Sequence, residues 1–131
     1  MTLKDLKRLH SLNKEIEYER RRLRALQKAG HSVSLIGVGM IQRDDFCAEL
    51  DALEKSIEAH LNECLALYKE ILDFINGIDD ALIRLIISLK HISALEWEQI
   101  ALHIGGGNTA ESLRKIYERF IKKAFPPSSS L

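Results

Sequence analysis

The side chains best suited to chemistry lie near the C-terminus of the chain, where a glycine-rich turn runs into a basic segment. Asn108 and Thr109 follow three consecutive glycines, and polar side chains then recur at helical spacing on one face: Ser112, Lys115, Arg119, Lys122 and Lys123. Hydroxyl, amide and cationic donors arranged in this way suit the phosphates and base edges of double-stranded DNA. An ordinary helical hairpin with a solvated charged face is the alternative interpretation.

Other kinds of chemistry are not supported by the residue spacing. Gly-Asn-Thr follows the paired glycines where a phosphate-binding Walker loop needs Gly-Lys-Ser/Thr. Cys47 and Cys64 fall seventeen residues apart on one predicted helix, about 25 Å, so they cannot bridge each other within it. We expect both to be buried or half-buried in a reducing cytoplasm, and His60 to be a packing residue. No enzyme activity, cofactor, metal or small-molecule substrate is expected.

Two short helices would position the polar residues. Ser93 and Glu96 have capping-box spacing, and Asn108 with Glu111 repeats it, with Thr109 as the rival cap. The three glycines would end the first helix because glycine enters left-handed conformations without a steric penalty. The inward faces are predicted from apolar spacing: Trp97, Ile100, Ala101 and Ile104 on the first helix, and Leu113, Ile116, Tyr117, Phe120 and Ile121 on the second. This arrangement describes a helix-turn-helix.

The same segment resembles the helix-turn-helix of sigma-70 region 4, which reads promoter DNA in sigma factors. The whole chain resembles small phage and prophage transcriptional regulators of the sigma-70 region 4-like type. The resemblance is specific over residues 79–123 and looser over the N-terminal half. The residues that carry it are Trp97, Ile100, Ala101, the run from Ile104 to Ala110, Glu111, Ser112 and Arg114.

The resemblance implies a DNA-binding regulator whose second helix enters the major groove. The implied DNA-binding residues are Asn108, Thr109, Glu111, Ser112, Arg114, Lys115, Arg119, Lys122 and Lys123. Glu111 is expected to serve the helix cap, and Trp97 to anchor the core. Docking on host RNA polymerase or another host protein is the second hypothesis, because the matching domain of sigma factors also touches polymerase. A phage structural or assembly protein is the third.

The N-terminal part predicts one long helix over residues 3–29. Leu9, Ile16 and Leu23 repeat every seven residues, Leu12 and Leu26 fall at the complementary position, and Glu19 is the polar intrusion. This seam is typical of a coiled coil, so we expect a homodimer, with oligomerisation residues Leu9, Leu12, Ile16, Leu23, Leu35 and Ile36. The cluster Arg20, Arg21, Arg22 and Arg24 could touch phosphates, but such a run is more often solvated or paired with acids.

A loop over residues 30–43 is predicted next, with Gly30 ending the first helix. A second long helix is then expected from Asp44 or Asp45 to Asn76, with the apolar stripe Phe46, Leu50, Leu53, Ile57, Leu61, Cys64, Tyr68, Ile71 and Ile75. Residues 1–30 have nine Lys or Arg and four acids, whereas residues 31–76 have three and nine. Opposite charge and a connecting loop favour antiparallel pairing of the two helices.

The predicted architecture is therefore all-α, with three parts. Residues 1–76 form an antiparallel coiled-coil hairpin, residues 77–125 a three-helix helix-turn-helix bundle and residues 126–131 a disordered tail. Asp79 is expected to cap the third helix, whose residues Leu82, Ile83, Leu85, Ile86 and Leu89 should be buried. With no apolar N-terminal leader and no long apolar run, the chain is predicted to reside in the bacterial cytoplasm.

Overall fold

The computed structural model describes the backbone of residues 1–36 and 40–127, and the side chains of residues 1–30 and 45–127. Within these ranges all the regular structure is helical, which confirms the all-α fold class. The α-helices are α1 (Leu3–Ile36), α2 (Met40–Asn76), α3 (Ala81–Ile87), α4 (Trp97–Ile104) and α5 (Ala110–Ala124), and a π-helical turn spans Ser88–Ile92. Among the described residues no helix is long and apolar enough to cross a membrane.

Helix α1 continues through Gly30, so the predicted helix end at this residue and the predicted loop over residues 30–43 are wrong. Residues 30–36 belong to α1 and residues 40–43 to α2, while residues 37–39 lie outside the described backbone. Gly30 lies against a side chain of α2. A Cβ there would collide with the ring of Phe46 on α2, so Gly30 permits a close approach of the two helices.

Residues 11–65 form one compact unit in which α1 and α2 run antiparallel. The Sγ of Cys64 lies 3.2 Å from the Oδ1 of Asn13, Ser56 and His60 both bond Glu19, and Arg22 lies 3.7 Å from Glu49. As residue numbers rise along α1 from 13 to 22, the residue numbers of their partners on α2 fall from 64 to 49. This confirms the antiparallel pairing of the two helices.

The charged residues of this unit are partly paired. Arg21 forms an ion pair with Glu17 at 3.1 Å, and Arg22 lies across from Glu49 of α2. This supports the interpretation of the arginine cluster as a surface paired with acids. Cys47 is exposed, contrary to expectation, whereas Cys64 is half-buried.

The apolar seam of α1 is used inside the chain. Leu9, Leu12 and Ile16 are buried and Leu23 is half-buried within the single chain. The homodimer stays a prediction. The side chains of Leu35 and Ile36 lie outside the described residues. On α2 the predicted stripe is wrong at two positions: Leu61 and Tyr68 are exposed, and Leu67 is buried instead.

The second compact unit combines residues 1–10 with residues 66–131, so its boundary differs from the predicted division at residue 76. The last part of α2 belongs here because Phe74 packs against the rings of Phe120 and Phe125, with centroids 6.2 and 5.4 Å apart. The first turns of α1 contribute Leu6, which is fully buried. Residues 128–131 of the predicted tail lie outside the described part of the chain.

The cap of helix α3 lies one residue later than predicted. The carboxylate of Asp80, rather than Asp79, accepts hydrogen bonds from the backbone N–H groups of Leu82 and Ile83 at 2.9 and 3.1 Å. Gly77 interrupts the chain after α2 as expected, with its N–H bonded to the carbonyls of Asp73 and Phe74. On α3, Ile86 is fully buried, but Leu85 is 44% exposed.

Candidate nucleic-acid interface

The turn between α4 and α5 is built from left-handed backbone. Gly105, Gly106 and Gly107 have φ values of 65°, 65° and 80°, which confirms that the glycines end α4. The side-chain amide of Asn108 donates to the carbonyl of Gly105 at 2.8 Å, and its backbone N–H donates to the same oxygen at 3.2 Å. Asn108 is half-buried and holds the turn, so it is not the predicted helix cap, and one donor of its side-chain amide is used within the protein.

Thr109 caps α5. Its hydroxyl accepts a hydrogen bond from the backbone N–H of Ser112 at 3.1 Å, and the Ser112 hydroxyl accepts from the Thr109 N–H at 3.0 Å. Glu111 is not part of this capping box, contrary to expectation, and lies 3.6 Å from Lys115 one turn along the helix. The first turn of α5 is therefore ordered by its own side chains.

Helix α4 begins at Trp97, with Glu96 rather than Ser93 as its cap. The Glu96 N–H donates to the side chain of Gln99 at 2.9 Å, whereas Ser93 ends the π-helical turn. The Trp97 ring meets the ring of Tyr117 on α5 edge to face, with centroids 5.2 Å apart. Trp97 is half-buried and joins the two helices, as the sequence predicted.

The inward face of α5 is confirmed. Leu113, Tyr117 and Ile121 are buried, and Ile116 and Phe120 are half-buried. At 100° per residue, the opposite face carries Lys115, Arg119, Lys122 and Lys123, all exposed, and we call these four residues the basic strip. The described residues supply no ion-pair partner for Arg119, Lys122 or Lys123.

Arg114 is the predicted DNA contact that lies apart from the basic strip. It falls on the other flank of α5, where its Nε lies 3.7 Å from Glu118, and it borders a pocket beside Trp97. The nine predicted residues therefore separate into three groups. Asn108, Thr109 and Ser112 shape the turn and cap, and Glu111 and Arg114 lie on a mixed flank. The basic strip is exposed, and of its four cations only Lys115 lies at ion-pair distance from an acid among the described residues.

His91 and Tyr117 form a buried pair that the sequence analysis did not identify. The Nε2 atom of His91 lies 2.7 Å from the Tyr117 hydroxyl, and the two rings lie 5.6 Å apart. Burial, helped by the positive charges of Lys90 and Lys7, lowers the pKa of His91 to about 4, so this imidazole is neutral at pH 7. Burial also raises the pKa of Tyr117 to about 12. The residues are 26 positions apart, so no local pattern could have paired them.

No group of three His, Cys, Asp or Glu side chains within residues 1–30 and 45–127 is placed to hold a metal ion. Comparison of the chain with protein-family models, with curated proteins and with solved structures finds no match. The resemblance to sigma-70 region 4 thus stays a prediction from the residues quoted above.

Proposed function

We propose that the protein is a DNA-binding transcriptional regulator that lays α5 in the major groove of double-stranded DNA. The single observation that carries this proposal is the basic strip. All four of its cations are exposed, and three of them have no ion-pair partner among the described residues. The resemblance to sigma-70 region 4-like phage regulators supports the same function. Lys115 would reach base edges or the first phosphates, and Arg119, Lys122 and Lys123 would mostly contact the backbone phosphates.

The positive charge that α5 and its preceding turn can offer to DNA is small, and this affects how many copies of the protein should bind together. Residues 108–124 have five basic and two acidic side chains, and the chain as a whole is neutral. Affinity for DNA rises with the number of phosphates neutralised, so one copy would bind weakly and with a shallow salt dependence. We therefore propose that two copies bind together, each on one half-site.

The test is a binding titration on random double-stranded DNA over a range of salt concentrations, followed by selection of preferred sites. Lys115→Glu with Arg119→Glu should abolish binding, because the double change reverses the charge of the basic strip. A matched control carries Lys14→Glu and Lys69→Glu, two exposed lysines outside α5 with the same change in net charge. Equal loss in both variants, or no binding by the wild type at low salt, would contradict the proposal.

Docking on another protein, such as host RNA polymerase, is the second candidate. The observation that favours it is Leu102 on α4, which is 83% exposed. Exposed leucines are common singly, so this support is weaker than that of the basic strip. Leu102→Ser should abolish polymerase capture without affecting DNA binding if docking is the function. The third hypothesis, a structural phage protein, depends on the apolar segment 33–41, whose side chains lie outside the described residues.

A further inference from the structure

A pocket of about 320 Å³ opens beside Trp97 within the unit formed by residues 1–10 and 66–131. Its walls come from the first turns of α1, the π-helical turn, the start of α4 and the mixed flank of α5. We call this cavity the Trp97 pocket. The lining residues that matter for its chemistry are Lys7, Lys90, His91, Trp97 and Tyr117. This volume lies at the lower end of the usual range for small-molecule sites, about 300–1,000 Å³.

One side of the Trp97 pocket is aromatic and electrically neutral. Trp97 packs edge to face on Tyr117, and Tyr117 is fixed in turn by its hydrogen bond to His91. Because His91 is buried and uncharged at pH 7, these three rings form a preorganised surface for a flat, apolar group.

The other side is cationic. The Nζ of Lys90 lies 5.1 Å from the centre of the Trp97 ring, and Lys7 lines the same opening. Within the described side chains neither lysine has a carboxylate at ion-pair distance. Two acids also line the pocket, but Glu118 is engaged with Arg114, and Glu96 lies at the cap of α4. An anionic group on the ligand would therefore meet two available ammonium groups.

The backbone of the pocket wall departs twice from ordinary geometry. Lys90 and His91 lie on the π-helical turn Ser88–Ile92, and Ala94, which also lines the pocket, has a φ of 55°. Both features carry an energetic cost and recur at functional sites, where they aim side chains into a cavity. Their coincidence with the cavity is a second observation, independent of the charges.

The geometry points to the Trp97 pocket as a binding site for a small aromatic carboxylate. The ring of the ligand lies against Trp97 and Tyr117, and its carboxylate pairs with Lys90 and Lys7. The site shares no residue with the basic strip and needs no DNA. The result of its test is therefore independent of whether the protein binds DNA. It adds a small-molecule ligand to a protein for which the sequence predicted no substrate.

The test uses the full chain and phenylacetate as the probe. Trp97 is the only tryptophan, so its fluorescence reports directly on the pocket. Phenylacetate should change this fluorescence saturably, and the NMR signals of the Trp97 indole N–H and the Ala94 methyl group should shift with it. Cyclohexylacetate, which lacks the aromatic ring, and 2-phenylethanol, which lacks the charge, should each bind at least about fivefold more weakly.

Variants separate the pocket from general attraction to a basic surface. Lys90→Met and Lys7→Met should each weaken phenylacetate binding by about fivefold or more. The control is Lys4→Met, because Lys4 is an exposed lysine on α1, the helix of Lys7, and lies outside the pocket. This variant should bind phenylacetate within about twofold of the wild type. Circular dichroism verifies the fold of each variant. If Lys90→Met disturbs the fold, Lys7→Met and the NMR shifts decide. Absence of saturable binding, equal binding of 2-phenylethanol, or equal weakening by Lys4→Met would each overturn the assignment.

Discussion

Glu19, the polar residue within the apolar seam of α1, is hydrogen-bonded to His60 of α2. Its Oε1 lies 2.5 Å from the Nδ1 of His60, and its Oε2 accepts a hydrogen bond from the Ser56 hydroxyl at 2.6 Å. The Glu19 side chain is only 13% exposed. Glu19 is therefore compatible with the seam because its carboxylate is hydrogen-bonded across the helix pair. His60 is a hydrogen-bonding partner of Glu19 rather than the packing residue that we expected.

The Glu19–His60 pair should stabilise the helix pair only within a limited pH window. The hydrogen bond to Glu19 raises the pKa of His60 above 6.5, although burial opposes it. Burial acts to raise the pKa of Glu19, but the bonds from Ser56 and His60 outweigh it and lower that pKa below 4.5. The contribution is therefore complete between pH 4.5 and 6.5, and is lost as pH falls through the Glu19 pKa or rises through the His60 pKa.

An NMR titration of the His60 ring measures this directly. Glu19→Gln should bring the pKa of His60 down, because the carboxylate that favours the imidazolium is gone. Glu17→Gln is the matched control, since Glu17 pairs with Arg21 on the same helix. A His60 pKa at or below its ordinary value in the wild type would contradict the prediction.

His91 should make stability depend on pH in the sense opposite to that of His60. Its pKa of about 4 lies below the ordinary value of 6.5, so the unfolded chain binds more protons between these two values. Stability should therefore fall as pH is lowered from 6.5 to 4, by at most about 3 kcal/mol. Denaturant unfolding over this range measures the loss.

Two substitutions identify His91 as the source. His91→Phe should flatten the pH dependence whatever its effect on stability at pH 7, because the titrating group is removed. Tyr117→Phe should lower the free energy of unfolding at pH 7 by about 1 kcal/mol through the lost hydrogen bond, yet keep most of the pH dependence. If His91→Phe retains the full slope, another group is responsible.

Gly30→Ala tests the close approach of α1 and α2. Alanine in place of glycine inside a helix ordinarily stabilises by about 1 kcal/mol. Here the added Cβ would collide with the Phe46 ring, which must turn away and lose its packing, so we expect a net loss of about 1–2 kcal/mol. Combination with Phe46→Leu should recover part of the loss, which a double-mutant cycle measures.

Gly77 is the control position for this substitution. A Cβ at Gly77 would meet its nearest neighbour, the carbonyl oxygen of Phe74, at an ordinary 3.5 Å. Gly77→Ala should therefore change stability by no more than about 0.5 kcal/mol. Equal effects at the two positions would show that the Phe46 contact does not control Gly30.

The features that the sequence predicted correctly are those with local causes. Helical periodicity located the inward face of α5, and three adjacent glycines located its preceding turn. Two caps lie one residue beyond the first predicted position, where neighbouring side chains could both serve: Asp80 acts in place of Asp79, and Thr109, the rival cap in the sequence, acts in place of Asn108. The choice is made by backbone conformation, which composition does not encode.

The features that were missed depend on distant partners. Gly30 has the composition of a helix end, and only the position of Phe46 shows that it is a contact. Glu19 and His60 are 41 residues apart, so their pairing follows from the register of α1 against α2 and not from either local pattern. The Trp97 pocket likewise assembles residues from three separate segments of the chain.

Ala94→Gly should stabilise the protein, against the usual effect of introducing glycine. Ala94 has a φ of 55°, a left-handed conformation that costs an L-residue about 1–2 kcal/mol and glycine almost nothing. The greater freedom of glycine in the unfolded chain offsets part of this gain, which leaves about 0.5–1 kcal/mol. Ala101→Gly within α4 is the matched control and should destabilise by about 1 kcal/mol, because position 101 is helical. Thermal unfolding of both variants measures the difference. If Ala94→Gly lowers stability as much as Ala101→Gly does, then the backbone at position 94 is not strained. The left-handed conformation in the wall of the Trp97 pocket would then carry no energetic cost.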